Sequence, residues 1–148
     1  MTKSASLPQR TLQTKRPTRQ EIVWKAFEYY SSLKKVASYC RENPTQSLTL
    51  AEAATIAGLE RTYFSKFFRK KTGVNFKFWN DLIRIEHAAS RLMESDDSIT
   101  RVAEDSGFET LATFERTFYR IKGVTPKDWR RRTQELMKDS QEGLKTSQ

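Results

Sequence analysis

The chain has 148 residues, a formal net charge of +9, a pI near 9.8 and 36% hydrophobic content. That length allows one domain or two very small ones, and the charge favours a polyanionic partner such as nucleic acid. A single cysteine excludes an intramolecular disulfide framework and suits a reducing compartment, while no apolar run approaches the 18 or so residues of a membrane span and no signal-peptide core opens the chain.

Residues 1–20 carry Lys3, Arg10, Lys15, Arg16 and Arg19, no acid and almost no apolar periodicity, which is the composition of a disordered basic tail. From Glu21 the pattern changes. Val23, Phe27, Tyr30, Leu33, Ala37 and Cys40 recur every three or four residues. This helical stripe makes either one helix to about Arg41 or two pieces hinged at Ser31-Ser32, with residues 21–32 an extra N-terminal helix. Asn43-Pro44 ends it, because the residue before proline is pushed out of helical geometry. Thr49 opens the next helix, and Glu52 three residues later completes a capping box. Gly58 ends that helix and can adopt positive φ in a tight turn. A helix from about Arg61 to Thr72 follows, stopped by Gly73. Residues 76–95 form a long helix with Trp79, Leu82, Ile83, Ala89, Leu92 and Met93 inward. Ser98 caps the next helix, Gly107 makes a turn and Thr110 caps another. Thr125-Pro126 starts a final helix, with proline where its missing N–H costs little. Beyond about Arg132 the chain is polar, so residues 133–148 are expected to form a frayed tail. Nothing alternates as a strand does, so the fold is all-α, with about seven helices plus the N-terminal extension.

One pattern occurs twice. Residues 48–73 read LTLAEAATIAGLERTYFSKFFRKKTG and residues 97–123 read DSITRVAEDSGFETLATFERTFYRIKG. At an offset of 49, Leu50, Ala53, Ala54, Gly58 and Glu60 match Ile99, Val102, Ala103, Gly107 and Glu109. After one inserted residue, at an offset of 50, Phe64, Lys66, Phe68, Gly73, Val74 and Trp79 match Phe114, Arg116, Phe118, Gly123, Val124 and Trp129. The spacing is that of a helix-turn-helix, so residues 33–75 and 97–132 read as two such subdomains joined by the linker helix 76–96. Charge follows the same division. Residues 59–73 hold five basic groups and one acid, residues 107–132 seven basic and three acidic, whereas residues 76–97 hold three basic and five acidic. Tandem copies with basic second helices imply one polypeptide gripping double-stranded DNA at two points.

Residues 107–130, GFETLATFERTFYRIKGVTPKDWR, resemble the signature of the AraC/XylS family of bacterial transcription regulators around its second helix-turn-helix. The first copy and the linker fit as well, over roughly Leu33 to Arg132. The resemblance implies two three-helix subdomains on a rigid helix, each inserting a recognition helix into DNA, and regulation through contact with RNA polymerase. Residues 1–32 are too short for the ligand-sensing domain most members carry, so no small-molecule effector domain is expected in this chain. The chain is similar to the stand-alone MarA, SoxS and Rob type, or to the C-terminal part of a longer member. No cofactor is implied, and the expected setting is the cytoplasm, on the nucleoid.

In the first recognition helix, Phe64, Phe67 and Phe68 face the core, which leaves Arg61 or Thr62, Ser65, Lys66 and Arg69 on the opposite face. By alignment to the family motif, Thr62, Ser65 and Lys66 fall at base-reading positions, and Arg69 shares their face. Lys66 can donate to guanine O6 and N7. In the second helix, Phe114 and Phe118 turn inward, Arg116 is the best base-reading candidate, and Glu115 can accept from cytosine N4. Leu111 and Ala112 depart from the usual polar first turn and can only touch thymine methyls or follow the backbone. Glu60 replaces the small polar cap usual before the first recognition helix. Arg61, Lys70, Lys71, Arg120, Lys122, Lys127 and the run Arg130, Arg131, Arg132 are assigned to phosphates as a group. Trp79 and Trp129 belong to the cores, His87 lacks any second ligand at metal spacing, and Cys40 is a small buried hydrophobe.

An alkyl-transfer enzyme would need its cysteine in a Pro-Cys-His context, which Cys40 lacks, so no catalysis is expected. The remaining alternative is a non-specific DNA-coating or partner-tethering protein using the basic tail. A sequence-specific regulator, more an activator than a repressor, is the preferred reading. It is expected to bind as a monomer, because a linker of about 20 residues is roughly 30 Å long, close to one turn of B-DNA at about 34 Å.

Overall fold

The computed structural model describes residues 22–146, with side chains as far as residue 144, so the expected basic tail at 1–20 lies outside the described residues. Eight α-helices and no strand occur among them. In chain order they are α1 (Ala26–Tyr29), α2 (Ser31–Glu42), α3 (Leu50–Ala57), α4 (Arg61–Thr72), α5 (Phe76–Glu94), α6 (Ile99–Asp105), α7 (Leu111–Lys122) and α8 (Pro126–Thr146).

The N-terminal stripe breaks at Tyr30, whose backbone is extended at φ −96 and ψ 117, one residue before the expected hinge. Ile22 rather than Val23 enters the core, and Val23 is 51% exposed. The reason is that the chain before Ala26 is not helical, so the 3.6-residue phase does not extend back to Val23. The Val23 N–H instead donates to the Thr72 carbonyl at 2.8 Å, which pins this segment to the end of α4. Ile22, Ala26 and Phe27 then join the first core, where Phe27 stacks on Trp79 at 5.1 Å.

The local signals of the two repeats act as their chemistry dictates. Thr49 Oγ1 accepts from the Glu52 N–H at 3.1 Å, and Ser98 Oγ and Thr110 Oγ1 do the same for Arg101 and Thr113. Each satisfies one of the N–H groups that the first helical turn leaves without a partner. Gly58 and Gly107 make the two turns at φ 73 and φ 84.

Helix α5 belongs to both units. Phe76, Trp79 and Leu82 pack into the first core with Phe64 and Phe68, and Ile85, Ala88, Ala89 and Leu92 pack into the second with Phe114 and Phe118. Being covered on more than one side, it has no simple polar face. Ile83 and Met93, expected inward, are only half-buried, while Asn80, Asp81 and Arg84 are buried.

The tail expected at 133–148 is instead helical as far as Thr146. Its residues include strong helix formers such as Glu135, Leu136, Met137, Lys138 and Gln141. The polarity that suggested fraying marks exposure, and the residues from Glu135 to Leu144 are all exposed.

Candidate nucleic-acid interface

Helix α4 buries Phe64, Phe68 and Thr72, four residues apart on one stripe. Fully burying a phenylalanine stabilises by about 1.5–3 kcal/mol, so this stripe fixes which face α4 turns outward. Thr62, Lys66 and Arg69 are exposed and Ser65 is half-buried, so the four expected base-reading residues share the outward side. Phe67 is half-buried rather than fully internal, edge-on to Tyr30 at 5.3 Å and stacked on Tyr63 at 5.9 Å. Tyr63 is exposed on α4, as Tyr119 is on α7. Sequence reasoning named neither, although both fall off the Phe64/Phe68 and Phe114/Phe118 stripes, which was the available signal.

Glu60 caps α4 through its side chain. Its Oε2 accepts from the Tyr63 N–H at 2.8 Å. The N–H groups of Tyr63 and then Thr62 hold its carboxyl below the usual range. A long side chain can therefore cap here, reaching back to the positive helix end.

Helix α7 repeats the plan with other residues. Phe114, Thr117 and Phe118 are buried, and Leu111, Ala112, Glu115 and Arg116 are exposed in two rows at i, i+4 spacing. Leu111 keeps 38% of its surface in solvent, so part of an apolar side chain is presented outward.

The nine basic residues assigned to phosphates divide into open and occupied sets. Arg61, Lys70, Lys127 and Arg132 are exposed. Arg131 is exposed and sits 3.3 Å from Asp128. Lys71 is half-buried, with Nζ 5.1 Å from the Tyr30 ring centre. Arg120 Nη2 lies 3.1 Å from Asp81. Lys122 pairs with Glu86 and lies 4.8 Å over the Trp129 ring. Arg130 Nε donates to the Leu92 carbonyl at 3.0 Å. Lys122 and Arg130 are thus turned into the fold, which sequence spacing could not reveal because their partners lie 36 and 38 residues away.

Trp79 is buried in the first core, and Trp129 is half-buried with Nε1 donating to the Ala89 carbonyl at 3.0 Å. His87 is half-buried, and burial, then Arg91, lowers its pKa. The Cys40 thiol is buried and pushed up to about 11. Among the described residues no group of three His, Cys, Asp or Glu side chains could hold a metal ion, and no helix is long and apolar enough to cross a membrane.

Residues 53–132 match the sequence profile of a helix-turn-helix domain. The chain is 36% identical over 95 residues to an uncharacterized HTH-type transcriptional regulator of Staphylococcus aureus, covering 64% of this chain and 13% of that protein. Its fold is similar to the DNA-binding domain of AdpA, solved in complex with a target DNA, with 27% identity, a TM-score of 0.63, and coverage of 67% of this chain and 89% of that one. It is also similar in fold to an AraC-type transcriptional regulator of Chromobacterium violaceum, at 20% identity and a TM-score of 0.65, covering 69% and 91%. The chain therefore spans about an eighth of the length of the Staphylococcus regulator.

Proposed function

As the chain belongs to the AraC-type helix-turn-helix family of transcription regulators, we propose that it binds DNA sequence-specifically through α4 and α7, each in a major groove. The observation that supports this most is the pair of outward faces, Thr62, Ser65, Lys66 and Arg69 on α4 and Leu111, Ala112, Glu115 and Arg116 on α7. Both helices pack against the 19-residue α5. A helix of that length is about 30 Å long, close to one turn of B-DNA, so one copy of the chain covers about 20 base pairs. The four α4 residues and Arg116 are the base-reading set, with Glu115 accepting from cytosine and Leu111 and Ala112 against thymine methyls. Arg61, Lys70, Lys127, Arg131 and Arg132 hold phosphates, with Lys71 and Arg120 at the margin. Because the two faces differ, the site is asymmetric and the protein binds it as a monomer. Activation of transcription on the bacterial nucleoid, with RNA polymerase as the protein partner, completes the reading.

Footprinting on genomic fragments, followed by competition with random DNA, tests it. One protected stretch of about 20 base pairs that resists random competitor supports the proposal. Equal competition by any sequence would replace it with non-specific coating, and an obligatory two-copy complex on a palindrome would remove the monomer assignment.

A further inference from the structure

We propose that Asp81 of α5, held between Arg84 of the same helix and Arg120 of α7, is a positioning residue that sets the separation and angle between α4 and α7, and through them the half-site spacing that the DNA must have. The inference rests on the reading that both helices enter major grooves. Asp81 is 3% exposed, yet it receives three cations. Arg84 Nη2 donates to its Oδ1 at 2.8 Å, while Lys77 Nζ and Arg120 Nη2 both donate to Oδ2 at 3.1 Å. Arg120 comes from α7 itself. Arg84 reaches the same unit by a second route, donating through Nη1 to the Gly107 carbonyl at 2.7 Å with its guanidinium 4.1 Å over the Phe108 ring.

The neighbouring residue ties the same turn of α5 to the first unit, since Asn80 Nδ2 donates to the Leu48 carbonyl at 3.3 Å. The units also meet directly. A Cβ on Gly107 would lie 2.9 Å from the Thr45 carbonyl oxygen, so the turn of the second unit sits against the loop of the first.

A helix fixes distance along its axis, whereas the hydrophobic contribution to packing is non-directional. Charged hydrogen bonds are directional, and a buried ionic group can specify one arrangement even where it adds little net stability. That uniqueness matters on DNA, where one extra base pair moves a half-site by about 3.4 Å and turns it by about 35°. A clamp that holds α7 in one orientation makes the protein intolerant of that change.

The test uses the full chain as wild type, Asp81→Asn and Arg120→Gln, with two readouts. The first, without DNA, is the spin–spin distance distribution between labels at Lys70→Cys and Tyr119→Cys. Cys40 stays unlabelled because it is buried with its thiol pushed to about 11. The second is selection from a DNA pool in which the two half-sites are separated by spacers differing by single base pairs. Wild type should give a narrow distribution and lose about tenfold in affinity for a spacer off by one, as for one mismatched base pair. Both variants should broaden the distribution and reduce that penalty to about threefold or less, with Asp81→Asn keeping the base preference inside each half-site. A narrow, unshifted distribution in both variants overturns the clamp, as does an unchanged spacer penalty beside a broadened one. If Asp81→Asn does not fold, Arg120→Gln decides, because that side chain is 42% exposed. If wild type shows no sequence preference, the DNA-binding reading fails by itself while the distance measurement still decides the clamp.

Discussion

The first unit closes over Phe64, Phe68, Phe76 and Trp79, with Ile22, Ala26 and Phe27 laid across it from the N-terminal side. The second closes over Phe108, Phe114 and Phe118 and draws on Trp129 from α8 for its edge. The inward stripes of α4 and α7 are nearly the same, Phe64 and Phe68 against Phe114 and Phe118. The outward stripes are not. One offers four hydrogen-bonding side chains, and the other offers two apolar residues, an acid and an arginine. The difference teaches that the buried stripe sets which face each helix turns away from its own core. Once the aromatic pair sets which side of the helix faces out, the outward residues can diverge without disturbing the fold.

The largest effect should come from the smaller core. Phe118 has no exposure, and Phe118→Ala should cost about 3–5 kcal/mol. Hydrogen exchange should then accelerate across α6 and α7 while α3 and α4 keep most of their protection. Uniform acceleration in all four helices would show that the units melt as one and that comparing them as separate bodies is wrong.

The two turn glycines sharpen the comparison at a lower level. Both have positive φ, but a Cβ on Gly58 meets nothing within 4 Å, whereas one on Gly107 meets the Thr45 oxygen at 2.9 Å. Gly58→Ala should cost about 1–2 kcal/mol of backbone strain alone. Gly107→Ala should cost more, because a backbone atom must also move. Equal melting temperatures for the two variants would contradict the close approach of the units.

The smallest effect separates the caps. The folded-state pKa of Glu60 is depressed, so its stabilisation is complete above the ordinary glutamate value and is lost as the pH falls through the depressed one. Thr110, the cap of α7, does not titrate. Between pH 7 and about pH 3.5, below the ordinary glutamate value of about 4.3, Glu60→Gln should lose less melting temperature than wild type. An identical loss in both proteins would mean that the cap carries no charge-dependent stability.

Much of this fold was legible because its signals are local. Thr49, Ser98 and Thr110 cap within three residues, and Gly58 and Gly107 turn the chain where they stand. The repeat itself gave the two units and the aromatic phase, hence the outward faces of α4 and α7. What escaped depends on distance in sequence or on geometry before the first turn. Asp81 and Arg84 are buried but are not among the residues expected inward, because a helix covered by two units has no single periodic face. Lys122 and Arg130 are assigned to phosphates from sequence because their partners in the fold, Glu86 and the Leu92 carbonyl, come from the linker. Val23 fitted a helical stripe that begins only at Ala26, and the polarity after Arg132 was mistaken for loss of helix.

The most direct test of the account is the information content of the two half-sites, read by selection from a random DNA pool with wild type, Lys66→Ala and Arg116→Ala. A bidentate base contact supplies about 1–3 kcal/mol of discrimination and a phosphate contact supplies none directly. The half bound by α4 should be rich and should lose base preference in Lys66→Ala. The half bound by α7 should be weaker throughout, should lose its remaining arginine-dependent preference in Arg116→Ala, and should keep a bias to thymine opposite Leu111 or Ala112. Equal information in both halves, or a richer half assigned to α7 by the Arg116→Ala change, would contradict the account.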